Sequence, residues 1–316
     1  MISFRYHIVS IVSVFLALAI GVALGGGPLK GEVDNTLVEQ VENDRMIKRD
    51  LKGEIAALRS GNDFLDAFAQ TVAPELLRDR LERRPVTVMV APSAERAAVA
   101  SVTELITVAG GSVGSTLRIG ADMVDVANKQ LVEELGTQLL EGTPGVDVAQ
   151  DASGYERMGA LLARAVGTER NGGAVVDEAA NGIISGLSTA GLMSPEGDLE
   201  RRGNLVVLVA GPGTGSSEEK QGANTIIGAL AKAIDADTDG VVVAGPVASA
   251  REDGLVESLR QDVVAAREVS TVDSLGRTAG EVVTVLALAG QARGETGHYG
   301  AVDAADGAMP GATPAD

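Results

Sequence analysis

The chain has no cysteine in its 316 residues. That excludes disulfide frameworks, zinc–thiolate clusters and cysteine nucleophiles. Tryptophan is also absent, and there are only three Tyr and four Phe. The core must then be built from Val, Leu, Ile and Ala. The two histidines are His7 and His298. A serine–histidine engine would have to recruit His298 from the far end of the chain. No carboxylate pair stands out from the general acidity, so catalysis is not expected. The seven methionines, at 1, 46, 89, 123, 158, 193 and 309, are scattered, none within a helical turn of another. A soft metal such as Cu(I) wants clustered sulfur ligands, whereas Met89, Met123 and Met158 read as core fillers. Neither a bound cofactor nor a metal site is expected from the residues themselves.

Basic residues are scarce where the chain is longest. Residues 85–316 hold 32 of the 44 acidic side chains and only 15 of the 26 basic ones. Nucleic acid is disfavoured as a partner, because its binding rests on Lys and Arg neutralising phosphates. Docking of this region on anionic lipid is disfavoured for the same reason.

A second long apolar run is missing as well. The first one, Ile8 to Leu24, contains no charge and only Ser10 and Ser13 as polar side chains. With the following glycines it reaches the usual length of about 20 residues for a helix that crosses a bilayer. Arg5 precedes it and Lys30 follows it, so the positive-inside rule favours a cytoplasmic N-terminus only weakly. With no second run, everything after Gly27 is expected on one side, outside the cytoplasm. Residues 1–30 thus read as a tip and an uncleaved plasma-membrane anchor, with Arg5, Ile8, Phe15 and Leu24 as its marker residues. A cleaved signal peptide and a buried core helix are the alternatives.

Gly25-Gly26-Gly27-Pro28 should break or bend the helix. Residues 31–84 then read as a long coiled-coil stalk. With Leu37 at a d position, the seam is Leu37, Val41, Asp44, Lys48, Leu51, Ile55, Leu58, Asn62, Leu65, Ala69 and Val72. β-Branched residues at a, leucine at d and a lone Asn62 favour a parallel homodimer. Asp44 and Lys48 put charge on that seam, Gly53 weakens the helix, and Pro74 should end or kink it near Ala73. A helix from Glu32 to Ala73 would be about 60 Å long. The alternative is a single amphipathic helix packed on its own domain.

From Pro85 the pattern becomes α/β. Short valine-rich runs (Pro85–Pro92, Ser112–Ile119, Asn204–Ala210, Gly240–Gly245 and Val269–Val272) alternate with helical stretches. The helices are expected at Ser93–Ala109, Asp122–Glu141, Tyr155–Val166, Val175–Leu192, Glu218–Ala236, Pro246–Leu259 and Leu275–Arg293. Ser93 is the expected cap of the first, and a turn is expected at Ser194–Gly197. This predicts a Rossmann-like domain over 85–293 with a largely parallel sheet, divisible into halves 85–200 and 201–293. Residues 294–316, rich in Gly, Ala, Pro and Asp, read as a flexible tail.

The loop Gly211-Pro-Gly-Thr-Gly-Ser-Ser217 lies between a strand and a helix, where α/β proteins cradle phosphates. It lacks the lysine of a P-loop and the third glycine of the dinucleotide fingerprint. Glu218 and Glu219 behind it would repel phosphate. A plain connecting turn is the expectation.

The opening Met1-Ile-Ser-Phe-Arg-Tyr-His7, with Phe15-Leu-Ala-Leu-Ala-Ile-Gly-Val-Ala-Leu-Gly25, resembles the actinobacterial MctB family of copper transporters. The stalk, the acidic α/β region and Gly297-His-Tyr-Gly300 resemble it too, so the likeness spans essentially the whole chain. It implies a cell-envelope protein linked to copper resistance, as a pore or efflux component. It also implies, through SteB-type members, a role in septation beside a SteA-type membrane partner, with effects on peptidoglycan hydrolases. Two functions are therefore expected as rivals. One is a non-enzymatic dimeric scaffold or receptor in cell division or cell-wall regulation. The other is a copper transport or homeostasis component.

Overall fold

The computed structural model describes residues 4–25 and 29–311, without the side-chain surroundings of residues 29–38. Contacts divide the chain into two units, residues 1–64 and residues 65–316.

The first unit is helical. Helix α1 spans Phe4–Gly25 and buries none of its residues within the chain. Its 22 residues give about 33 Å at 1.5 Å per residue, enough for a hydrocarbon core of about 30 Å. Ser13 donates its hydroxyl to the Val9 carbonyl at 2.8 Å, which would satisfy that group in an apolar medium. The expected glycine–proline break falls on residues 26–28, outside the described residues. Helix α2 spans Leu29–Leu77, so residues 29–64 belong to this first unit.

The last turns of α2 belong to the second unit. The helix runs through Pro74 instead of ending before it. Proline there removes a single backbone bond near the helix end, and burial of Ala73 and Leu77 on either side of it offsets that loss. Asp66 pairs with Arg277 at 2.9 Å. The second unit thus begins at residue 65, inside the 31–84 segment expected as a stalk.

The second unit is one sheet covered on both faces. Its strands are β1 (Pro85–Val90), β2 (Ser112–Ile119), β4 (Met193–Pro195), β6 (Leu205–Val209), β7 (Val241–Ala244), β8 (Ser270–Val272) and β9 (His298–Tyr299), with the short pair β3 (Ala174–Val175) and β5 (Arg201–Arg202) outside it. The order is β4-β2-β1-β6-β7-β8-β9. Within this sheet all pairings are parallel except β2 with β4, and the separate β3–β5 pair is antiparallel. Strands from before and after residue 200 pair directly as β1 and β6, so the expected halves form one sheet. Every residue of β1, β6, β7 and β8 is buried, as parallel strands covered on both faces require.

Strand alternation distributes the core. Val86, Val88, Val90, Leu205, Val207 and Val209 point to one face, where α3 (Arg96–Val108), α11 (Thr278–Gln291) and the end of α2 pack. Met89, Val206, Leu208 and Val243 point to the other. There they meet α4 (Ala121–Val124), α5 (Lys129–Glu141), α6 (Gly154–Val166), α7 (Glu178–Thr189), α8 (Ser217–Asp235), α9 (Leu255–Gln261) and α10 (Ala265–Glu268).

Several expected elements shift, each for a local reason. Ser93 is not a cap, because the extended backbone that opens α3 is at Glu95. The helix expected over Asp122–Glu141 is broken at Asp125, whose carboxylate accepts the Ala127 N–H at 2.8 Å. The helix expected from Val175 begins at Glu178, because Ala174 and Val175 pair with Arg202 and Arg201. The turn expected at Ser194–Gly197 begins as the antiparallel edge strand β4. The segment Pro246–Leu259 is a 3-10 turn at Val247–Ala250 followed by α9. The tail expected to be loose is tied down as far as Gly307, whose carbonyl accepts the Gly300 N–H at 3.1 Å. His298 and Tyr299 extend the sheet as β9, and Tyr299 is buried.

Candidate functional site at the sheet switch point

From β1 the chain moves outward to β2 on one side, and from β6 it moves outward to β7 and β8 on the other. The order therefore reverses between β1 and β6. In open α/β sheets a crevice opens at that reversal, outside the carboxyl ends of the strands, and ligands bind in it. Here the crevice has a volume of about 630 Å³. Its polar lining comes chiefly from Ser93, Asp125, Thr214, Glu218, Lys220 and Asn224. Ala91, Val124, Ile227 and Leu255 supply an apolar floor.

The two loops that form it lie very close together. Ala91 N–H reaches the Val209 carbonyl at 2.9 Å. A side chain at Gly211 would collide with the Ser93 carbonyl, so only glycine permits this approach. Gly213 and Gly215 sit at φ +76° and +96°, which lets the loop turn into α8.

The start of α8 is already neutralised. Ser216 accepts the Glu219 N–H at 3.3 Å, and the Glu219 carboxylate accepts the Ser216 N–H at 2.7 Å, a reciprocal capping box. Hydrogen bonds from the Ser216 N–H and, at 2.8 Å, the Ser216 hydroxyl to the Glu219 carboxylate hold that carboxyl below its ordinary value. With Glu218 beside it, the helix end offers no bare positive pole for a phosphate. Asn224, buried, donates to the Asp253 carbonyl at 3.0 Å, and Gln221 donates to the Asp253 side chain at 2.8 Å. Among the described residues, the Ser93 and Thr214 hydroxyls make no hydrogen bond to a histidine or carboxylate. The arrangement suits a small neutral or mixed-charge ligand held by hydroxyl, amide and ammonium groups.

The residues singled out from the sequence lie elsewhere. Arg5, Ile8, Phe15 and Leu24 are all on α1 and exposed. Val41, Leu51, Ile55, Leu58, Asn62 and Leu65 are all exposed on α2, the apolar ones between 46% and 62%. Leu37 falls among the undescribed side chains. Ile47, exposed one turn before Leu51, extends the apolar stripe beside charged Asp44 and Lys48. The crevice residues were not legible as a group, because strand order decides which loops meet.

Copper ligands do not converge among the described residues. No three His, Asp or Glu side chains gather as a metal group. Met89, Met123, Met158 and Met193 are buried in the core. His298 uses both ring nitrogens, Nε2 on the Ala266 carbonyl at 3.0 Å and Nδ1 on the Thr271 hydroxyl at 2.9 Å.

Comparison with known proteins places the chain. Residues 1–310 match the family described as "Copper transport outer membrane protein, MctB". The chain is similar to the protein named "Copper transporter MctB" of Mycobacterium tuberculosis, 29% identical over 319 aligned positions that cover 95% of this chain and 96% of that protein. The protein of the same name from Mycobacterium leprae is 26% identical over 317 positions, with the same coverage of both chains. The chain belongs to the MctB family.

Proposed function

We propose that this chain is a non-enzymatic, membrane-anchored component of copper homeostasis in the cell envelope. In this reading α1 holds it in the plasma membrane with its N-terminus in the cytoplasm. The α/β domain works outside, as a receptor rather than as the conduit. The names carried by its relatives support the copper role. The observation that carries the receptor role is the sheet itself. Its strands are buried on both faces by helices, whereas the wall of a transmembrane barrel alternates between lipid and lumen. The one apolar helix among the described residues that could cross a membrane makes no pore by itself, so transport requires further copies or a separate membrane partner. Copper is then a cargo handed between proteins and not a resident ion.

The exposed apolar stripe of α2 supports a second reading. Leucine and isoleucine spaced along one face of a long helix suit a parallel homodimer. A dimeric scaffold that engages a SteA-type membrane partner and a cell-wall hydrolase during division would use that stripe and need no copper.

Deletion of the gene, with complementation by the wild type or by Leu58→Asp, separates the two. The copper reading expects deletion to raise cell-associated copper and copper sensitivity at normal cell length. Elongated or misdivided cells with unchanged copper would overturn it in favour of the scaffold. Failure of Leu58→Asp to complement either phenotype would place the stripe in the working assembly.

A further inference from the structure

A second cavity, of about 410 Å³, opens near the amino-terminal ends of β6 and β7, away from the switch-point crevice. Three arginines line it: Arg164 at the end of α6, Arg170 in the following loop, and Arg202 on β5. Such convergence is unusual in a chain with 44 acidic and 26 basic side chains.

The arginines are short of acceptors. Arg164 Nη2 donates to Asp177 at 2.8 Å, and Arg202 Nη2 reaches the same Asp177 oxygen at 3.5 Å. The other Asp177 oxygen is engaged by the Ala180 N–H at 2.9 Å, as the cap of α7. Arg202 Nη1 donates to the Arg164 carbonyl at 3.0 Å. That leaves Arg164 Nη1 and Arg202 Nε, both buried, without a partner among the described residues. The two side chains are only 22% and 13% exposed. Burial, reinforced by the neighbouring Arg164 charge, pulls the Arg202 guanidinium below its ordinary value.

The two half-desolvated guanidiniums share Asp177 as their one directly bonded carboxylate. Leaving charged donors unpaired costs more than leaving neutral ones, and an absent anion is a standard reason for such a gap. Guanidinium forks match carboxylate and phosphate geometry. The rim decides between these. Asp147, Glu169 and Asp237 line the same cavity and would repel a dianion, but they suit an ammonium group.

We propose that this cavity binds a small zwitterion of the amino-acid class. The ligand carboxylate takes the guanidinium faces of Arg164, Arg170 and Arg202 that line the cavity, and its ammonium faces the rim carboxylates. The site is independent of the copper reading and of the α2 stripe.

The test uses the full chain in detergent micelles, with calorimetric titration of each standard amino acid in turn at millimolar concentration. Acetate, methylammonium and inorganic phosphate are titrated in parallel. At least one amino acid is expected to bind at one site per chain, acetate more weakly, and methylammonium and phosphate not at all. Arg202→Lys and Arg164→Lys keep the charge and lose the fork, and each is expected to weaken binding about tenfold or more. Urea denaturation of both variants checks that they fold. No heat from any amino acid on the folded wild type would overturn the proposal. So would phosphate binding in place of amino acids, or binding unchanged in both folded variants.

Discussion

A buried ion pair is the main side-chain clamp on the strand β9 and the segment after it, and removing its charge should loosen them. Asp273 follows β8 with its side chain fully buried. Its Oδ1 accepts the Ala301 N–H at 2.6 Å and its Oδ2 the Val302 N–H at 3.1 Å. Arg260 Nη1 reaches Oδ2 at 2.9 Å, Nη2 donates to the Tyr299 carbonyl at 3.0 Å, and Nε donates to the Thr271 hydroxyl at 2.9 Å. Gly300, at φ +140°, passes so close that any side chain there would strike the Asp273 carboxylate.

Asp273→Asn keeps the shape but removes the charge and turns one acceptor into a donor among N–H groups. Arg260 is then left buried without its counter-charge. Breaking a buried pair in this way costs about 3–5 kcal/mol, against a total of about 5–15 kcal/mol for a domain. The variant should therefore fold but be much weaker in urea. Limited proteolysis should cut it within residues 294–311, where the wild type resists. A double variant with Arg260→Met should lose less than the sum of the two single losses, because both members of one pair are gone. A loss below about 1 kcal/mol with an unchanged cleavage pattern would refute the idea that this pair secures the C-terminal segment.

Two pH-linked predictions accompany it. Burial pushes the Asp235 carboxyl up from 3.8 to about 6, while the carboxylate accepts the Val241 N–H at 2.9 Å. The folded chain holds that proton where the unfolded chain has released it, so stability falls as pH rises between those two values. Asp235→Asn, which keeps the acceptor, should stabilise the chain at neutral pH. The ceiling is about 3 kcal/mol for a shift of about two units, reduced to about 1 kcal/mol because the group is half-buried and screened; urea midpoints at pH 7 and pH 4 check it. Burial lowers the His298 pKa from 6.5, so its contribution is complete above that value and is lost as pH falls below it through the folded value. His298→Gln should flatten the urea midpoint against pH over that acid window, and an unchanged slope would contradict this.

The valine-rich strands were legible because burial on both faces leaves an uninterrupted apolar run. This holds for Pro85–Val90 and Leu205–Val209. Helix starts were less legible, since they depend on partners distant in sequence. Val175 looks helical alone but pairs with Arg201. The end of the chain was the least legible. Its Gly, Ala and Asp composition reads as loose, and nothing local reveals that Arg260 and Asp273 clamp it. The same limit hid both cavities. The loop at Gly211 could be noticed, but not that Ser93 and Asp125 would meet it. Arg164 and Arg202 come together only through Asp177 and the β3–β5 pair.

The stripe on α2 permits a last prediction in which attraction and repulsion can be weighed. Leu51, Ile55, Leu58 and Leu65 are each about half exposed. Covering the exposed half of each is worth about 1 kcal/mol. Two copies in parallel register would then gain about 8 kcal/mol from these four layers. Association costs at least about 4 kcal/mol, and two anchors confined to one bilayer lower that cost by raising the effective concentration. The same register stacks Asp44 on Asp44 and Lys48 on Lys48, two like-charge layers that work against it. The full chain in micelles should accordingly scatter light as a concentration-dependent dimer. Asp44→Leu with Lys48→Val should tighten it, because the repulsive layers become apolar. Leu58→Asp should return it to a monomer by placing a charge pair in the middle of the apolar run. Repulsion at residues 44 and 48 is specific to the parallel register, so the charge-removal variant is the sharper test. If it leaves the dimer unchanged while Leu58→Asp dissolves it, the two helices meet in another register.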